Sequence, residues 1–178
     1  MTVKQSAMRS FPLPARQRTR SIASEVFAHW LATPDYLGEG GHPLVLGEIK
    51  TGNHRWVTIY NHLDVVPASR ETEPWRTDPF AFTKQGDTYF GRGTTDDKGP
   101  ALSALYGARA AIDAGVPINV KLLWELEEEV GSPHFADTLK AIGPAAATDA
   151  VVVSDTVWVS RGRPAVSSGL RGLQPMTF

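Results

Sequence analysis

The chain of 178 residues contains no cysteine. That excludes disulfides and thiolate ligands, so any metal it holds must be bound by His, Asp or Glu. An excess of charge is also lacking: the formal net charge of −1 gives no electrostatic ground for nucleic acid or an anionic membrane as partner. No apolar run approaches the roughly 20 residues of a membrane helix, and nothing near Met1 resembles the apolar core of a signal peptide. Acids are missing from the first twenty positions, which hold Lys4, Arg9, Arg16, Arg18 and Arg20. Such a start occurs in organelle transit peptides; a loose basic tail over residues 1–20 of a cytoplasmic protein is the simpler reading. What is present, 42% hydrophobic and 21% charged residues, describes an ordinary globular protein long enough for one domain with a sizeable core.

The pattern along the chain alternates strands and helices. Ile22, Val26, Phe27, Trp30 and Leu31 share one face of a helix expected over residues 21–31, which "TPDYLGEGGHP" ends. "PLVLGEIK" and "RWVTIYN", joined by "TGNH", read as a hairpin. Residues 67–87 read as a long loop, followed by a strand at "DTYFGRG". In "GPALSALYGARAAIDAG" a helix starts with Pro100 at its first position and closes at Gly115. "INVKLLWELE" and "DAVVVSD" read as buried strands, and "SPHFADTLKAIGP" between them as a short helix capped by Ser132. The fold class that follows is α/β, a mostly parallel sheet flanked by helices.

Open sheets of this kind bind ligands beyond the carboxyl ends of their strands. His62 follows "VTIY", Asp96 and Asp97 follow "TYFGRGTT", Glu127, Glu128 and Glu129 follow "KLLWEL", and Asp155 follows "VVVS". Each motif alone has a plain structural reading. His62 and Asp64 can close a strand, "TTDDKGP" can be a turn with acids at a helix start, "ELEEE" can be a solvated face, and Asp155 can be a cap. One site would explain all four together. Adjacent carboxylates repel unless a cation or a proton is shared among them, and a thiol-free rim of one imidazole and several carboxylates suits a hydrolytic divalent metal. Magnesium would suit the carboxylates; the histidine favours zinc, with manganese or cobalt as substitutes. His29, His42, His54 and His134 lie in a helix or in loops and read as structural or surface residues.

In this order, "NHLDVVPA", "PWRTDPFAF", "YFGRGTTDDKGPALSAL", "LLWELEEEVGSPHF", "DAVVVSDTVW" and "GLRGLQPMTF" resemble the co-catalytic zinc metallopeptidase family. That family includes carnosinase-like dipeptidases, aminoacylases and succinyl-diaminopimelate desuccinylase, and the likeness is greatest to the dipeptidase branch. The resemblance implies a zinc-exopeptidase-like catalytic domain that holds two zinc ions. It implies that His62 and Asp155 bind one metal, that Asp96 bridges both across a cis Asp96–Asp97 peptide, and that Glu129 binds the second. Glu128 would be the general base and Asp64 the carboxylate behind His62. It gives Glu127 no role. The implied reaction is hydrolysis of the amide bond of a dipeptide or an N-acyl amino acid, by a homodimer.

Family members also carry a later histidine ligand and an inserted lid or dimerisation domain. Here His134 is the last histidine. The chain is therefore expected to comprise a basic tail (1–20), the N-terminal part of the catalytic domain (21–160) and the start of the lid (161–178), with an uncovered strand edge at "RGLQPMTF". Two rival readings stand beside this one. The first is an inactive fragment acting as a binding or assembly module. The second is a magnesium phosphohydrolase, which lacks the glycine-rich phosphate loop it would need.

Overall fold

The computed structural model describes residues 44–156, 159, 160, 162–169, 172 and 176. The helix expected over 21–31, the tail, His29, His42 and most of "RGLQPMTF" lie outside them. The elements run β1 (Val45–Ile49), β2 (Trp56–His62), β3 (Thr83–Gln85), β4 (Thr88–Phe90), α1 (Lys98–Asp113), β5 (Asn119–Glu125), a 3-10 turn (Glu128–Val130), α2 (Phe135–Ile142), a second 3-10 turn (Gly143–Ala146) and β6 (Ala150–Val153). No helix among the described residues is long and apolar enough to cross a membrane.

Four strands form one sheet in the order β1-β5-β2-β6. β2 runs parallel to both β5 and β6, and β1 runs antiparallel to β5. The sheet is mixed and mostly parallel, as expected. β5 takes a central place because its sequence "NVKLLWE" is buried at every position, which requires cover on both faces. Val120, Leu122 and Trp124 pack with Leu105 and Ala108 of α1 on one face. Leu123 packs with Leu44 and Leu46 against Phe135, Leu139 and Ile142 of α2 on the other. The buried ammonium of Lys121 donates to the carbonyls of Ala145 and Ala147, each at 2.5 Å.

Four sequence expectations are corrected. β1 and β2 are not a hairpin, because β5 lies between them. The "TGNH" link is instead pinned across the start of β5: Thr51 N–H donates to Asn119 Oδ1 at 2.8 Å, and Asn119 Nδ2 donates to the carbonyl of Asn53 at 2.6 Å. "DTYFGRG" does contain a strand, but β4 pairs only with β3, inside the segment read as loop, in a separate two-stranded sheet. β6 is not buried; Val151, Val152 and Val153 are 59%, 49% and 54% exposed, and β6 lies at the edge of the described sheet, with β2 beside it. Finally, α2 begins one residue after His134, which occupies the cap position expected for Ser132.

α1 starts at Lys98, two residues ahead of Pro100, and ends where Gly115 adopts φ +80° with its N–H on the carbonyl of Ile112. Its first turn fits tightly against the preceding loop. A β-carbon on Gly99 would stand 2.0 Å from the carbonyl oxygen of Thr94, and backbone cannot yield as a side chain can. Gly99→Ala is expected to destabilise the fold by about 2 kcal/mol or more, as overpacking does, measurable by urea denaturation of the metal-free protein.

Candidate metal centre

The parallel arrangement brings strand ends together. His62 closes β2 opposite Glu125, which closes β5, and Tyr60 pairs with Val153 at the end of β6. The chain leaving β2 therefore passes the chain leaving β5, with Glu127, Glu128 and Glu129, and the chain leaving β6, with Asp155. Asp96 and Asp97 reach the same rim by another route than expected. They arrive at the start of α1, since β4 is no part of the main sheet.

His62 is fully buried. Its Nδ1 lies 3.2 Å from Asp64 Oδ1 and its Nε2 lies 2.8 Å from Asp96 Oδ1. Asp155 Oδ2 and Glu128 Oε2 stand 3.7 and 3.9 Å from the same Nε2. His62, Asp96 and Asp155 each offer a donor atom, and these three atoms all lie within 4.8 Å of one another. The Asp96–Asp97 peptide is cis, as the resemblance implies. Glu129 is held differently. Its N–H donates to Asp64 Oδ2 at 2.9 Å, and its own Oε1 accepts from the N–H of Val66 at 3.3 Å. The structure thus gathers His62, Asp96 and Asp155, brings Asp64 and Glu128 against the imidazole, and leaves Glu129 beside this group rather than in it.

The donor set fits a cation. A neutral imidazole carries one N–H, and an ionised carboxylate accepts only. With carboxylates at both ring nitrogens, the contacts need a second proton, on the ring or on a carboxyl, or a positive ion facing one nitrogen. Burial opposes its protonation, but the hydrogen bond to Asp96 and the charges of Glu128, Asp64 and Asp97 outweigh it and raise its pKa. Burial raises the carboxyl of Glu128; His62 opposes this, and Asp155, Glu129 and Asp64 push it further up. Burial likewise raises Asp155, against His62 and with Asp96. These groups crowd negative charge into one place, and a divalent ion relieves that where protons otherwise must.

Two acids of the expected rim to which the sequence assigned no role, Asp97 and Glu127, are buried beside the cluster. Asp97 is fully buried and accepts from Asn61 Nδ2 at 2.8 Å and from the N–H of His62 at 3.0 Å. It clamps the last residues of β2 to the start of α1. The signal was the polar pair "NH" closing an apolar strand, which needs buried acceptors if it stays inside. Glu127, also buried, has Oε2 2.7 Å from His134 Nδ1, whereas His54 is exposed on the surface as expected. A recess of about 380 Å³ lined by Leu46, Tyr60, Leu123, Phe135 and Val153 lies on the α2 face and contains none of the candidate residues.

Comparison with known proteins places the chain in a family. The model of Peptidase family M20/M25/M40 matches residues 58–167. The chain is 39% identical over 137 residues to the Cys-Gly metallodipeptidase of Schizosaccharomyces pombe, covering 74% of this chain and 29% of that protein. It is 35% identical over 135 residues to the human Beta-Ala-His dipeptidase, covering 73% and 26%. Among solved structures, an M20 family metallo-carboxypeptidase from Sulfolobus solfataricus superposes with a TM-score of 0.59 at 34% identity, over 65% of this chain and 26% of that one. Human carnosine dipeptidase 1 gives 0.58 at 32% identity, over 67% and 27%. The chain thus spans little more than a quarter of the length of the relatives it matches.

Asp97→Ala would leave the Asn61 amide and the His62 N–H without their acceptor in a dry site. The expected cost is about 3 kcal/mol of stability, read as a lower denaturant midpoint in the absence of metal.

Proposed function

The chain belongs to Peptidase family M20/M25/M40, and on that footing we propose that it serves metal-dependent hydrolysis of the amide bond of a dipeptide or an N-acyl amino acid. The observation that supports this most is the buried His62 imidazole flanked by carboxylates on both ring nitrogens, with Asp155 and Glu128 within 4 Å of Nε2. Relatives named for Cys-Gly and Beta-Ala-His substrates support the dipeptide. Zinc is the proposed metal, with manganese or cobalt as substitutes, because imidazole and carboxylate together suit these ions.

In this reading His62, Asp96 and Asp155 would hold one ion, and Glu129 would serve a second together with Asp96. When bound, such ions supply a water of lowered pKa and polarise the substrate carbonyl. His62 presents Nε2 to the site and donates Nδ1–H to Asp64, which fixes the tautomer and the plane of the ring. Asp64 has a second task, since its other oxygen accepts the N–H of Glu129 and so ties the turn that carries Glu128 to the end of β2. Glu128 moves the proton. Its carboxylate, raised in pKa by burial, accepts one proton from water as the carbonyl carbon gains the hydroxyl, and returns it to the nitrogen as the C–N bond breaks. Products are the free acid and the free amine, with no other reactant consumed.

Substrate specificity, a homodimeric assembly and a cytoplasmic setting belong to the same proposal. Glu128→Gln keeps the shape and removes the base. In the protein as its source produces it, loaded with zinc or manganese, turnover of Cys-Gly or β-Ala-His is expected to fall by about 10²–10⁴-fold, with metal affinity nearly unchanged. Turnover that survives the change would refute Glu128 as the base. Metal uptake with no hydrolysis by the unaltered protein would favour a binding module. Asp64→Asn is expected to lower zinc affinity about 10–100-fold, measured by calorimetry.

A further inference from the structure

The turn that carries Glu128 and Glu129 spans only Glu128–Val130, and its exit is unfavourable. Gly131 lies at φ +88° and Ser132 at φ +54°. Glycine adopts the left-handed region freely, but a serine there costs of order 1 kcal/mol unless its surroundings enforce it. The enforcing contacts converge on Glu127. Its carbonyl accepts the N–H groups of Ser132 at 2.9 Å and Val130 at 3.3 Å. Its side chain turns inward, 7% exposed, and Oε2 meets His134 Nδ1 at 2.7 Å. His134 in turn caps α2: its carbonyl accepts both the N–H and the hydroxyl of Thr138, at 3.0 and 2.9 Å. The loop from β5 to α2 is thereby closed on itself by one side-chain pair, seven residues apart, with the two functional glutamates inside it.

We propose that His134, through Glu127, is a positioning residue that sets the Glu128–Glu129 turn against the His62 cluster. This deepens the function proposed above and rests on it for its effect on metal. Because the carboxylate of Glu127 only accepts, Nδ1 of His134 is the donor. Asp64 holds the turn from the β2 side through the N–H of Glu129, and the Glu127–His134 pair holds it from the α2 side. Asp64 reaches only the Glu129 amide, while the Gly131–Ser132 exit is tied by backbone hydrogen bonds to the carbonyls of Glu128 and Glu127, whose placement the Glu127–His134 pair fixes. Among the described residues, His134 is not in the group of donor atoms that gathers at His62, Asp96 and Asp155.

The pair has a distinguishing chemistry that mutation can read. An asparagine amide nitrogen can replace Nδ1 at its own position, whereas a glutamine amide falls where Nε2 lies. The experiment compares His134→Ala, His134→Asn and His134→Gln in the full chain by amide exchange without metal and by zinc titration. In His134→Ala, the amides of Val130, Gly131 and Ser132 are expected to exchange about tenfold faster or more, with those of Leu122 and Trp124 unchanged. Zinc affinity is expected to fall about 10–100-fold. His134→Asn should restore both readings and His134→Gln neither.

Wild-type exchange at the turn in His134→Ala, or identical behaviour of the Asn and Gln variants, would overturn the proposal. If the alanine variant does not fold, the Asn and Gln pair still decides it. If the unaltered protein takes up no zinc, the metal reading fails by itself, and the exchange rates judge the positioning role independently.

Discussion

A buried imidazole with a carboxylate at each nitrogen is an electrostatic problem with few solutions. His62 has no exposure to water, so solvent cannot supply what the ring lacks. Asp64 takes Nδ1, and Asp96, Asp155 and Glu128 crowd Nε2. Only a second proton or a cation makes this stable, and the raised pKa of Glu128 and Asp155 under burial expresses the same shortage of positive charge. A divalent ion answers it with one charge centre instead of several protons.

The rest of the structure arranges for that crowding to occur in one place and stay there. β2, β5 and β6 run parallel, so their carboxyl ends reach one rim. The start of α1 is bound to the same rim through Asp97, and that tie needs both a carboxylate acceptor for Asn61 and His62 and a glycine at position 99 to let the helix approach. Other buried acids near the rim have their own donors. Glu125 accepts the hydroxyl of Tyr60 at 2.5 Å; burial, and then this bond, drives that phenol's pKa far upward, and Glu127 faces His134. Asp97, Glu125 and Glu127 thus each have a side-chain or backbone donor of their own, while Asp96, Asp155 and Glu128 face Nε2 of His62.

Much of this was legible beforehand. The helix in "GPALSALYGARAAIDAG", the unbroken apolar run of β5 and the stop at Gly115 are local signals, and local signals predict local structure. What failed was pairing. A four-residue link between two β-rich runs reads as a hairpin, and nothing within the link says that Asn119, far along the chain, will pin it. β6 read as buried because valine runs usually are, yet its exposure depends on which strand lies beyond it. β3 was too short to register. Asp97 and Glu127 had no assigned role for a related reason: their partners, Asn61 and His134, are meaningful only once burial has removed water as a competitor.

By itself the sequence determined the chemistry available: no thiols, one histidine at a strand end, and acids after each of the apolar runs. Those choices follow from residue identity and from periodicities of a few residues, which need no knowledge of the fold. Only the tertiary structure decided which acids meet. A carboxylate's role depends on what stands within about 4 Å of it, and at that range the strand order, the register of His62 against Glu125 and the approach of α1 select Asp96 and Asp155 for His62. The same geometry buries Asp97 and Glu127 and leaves Glu129, in the turn it shares with Glu128, beside the His62 group rather than in it.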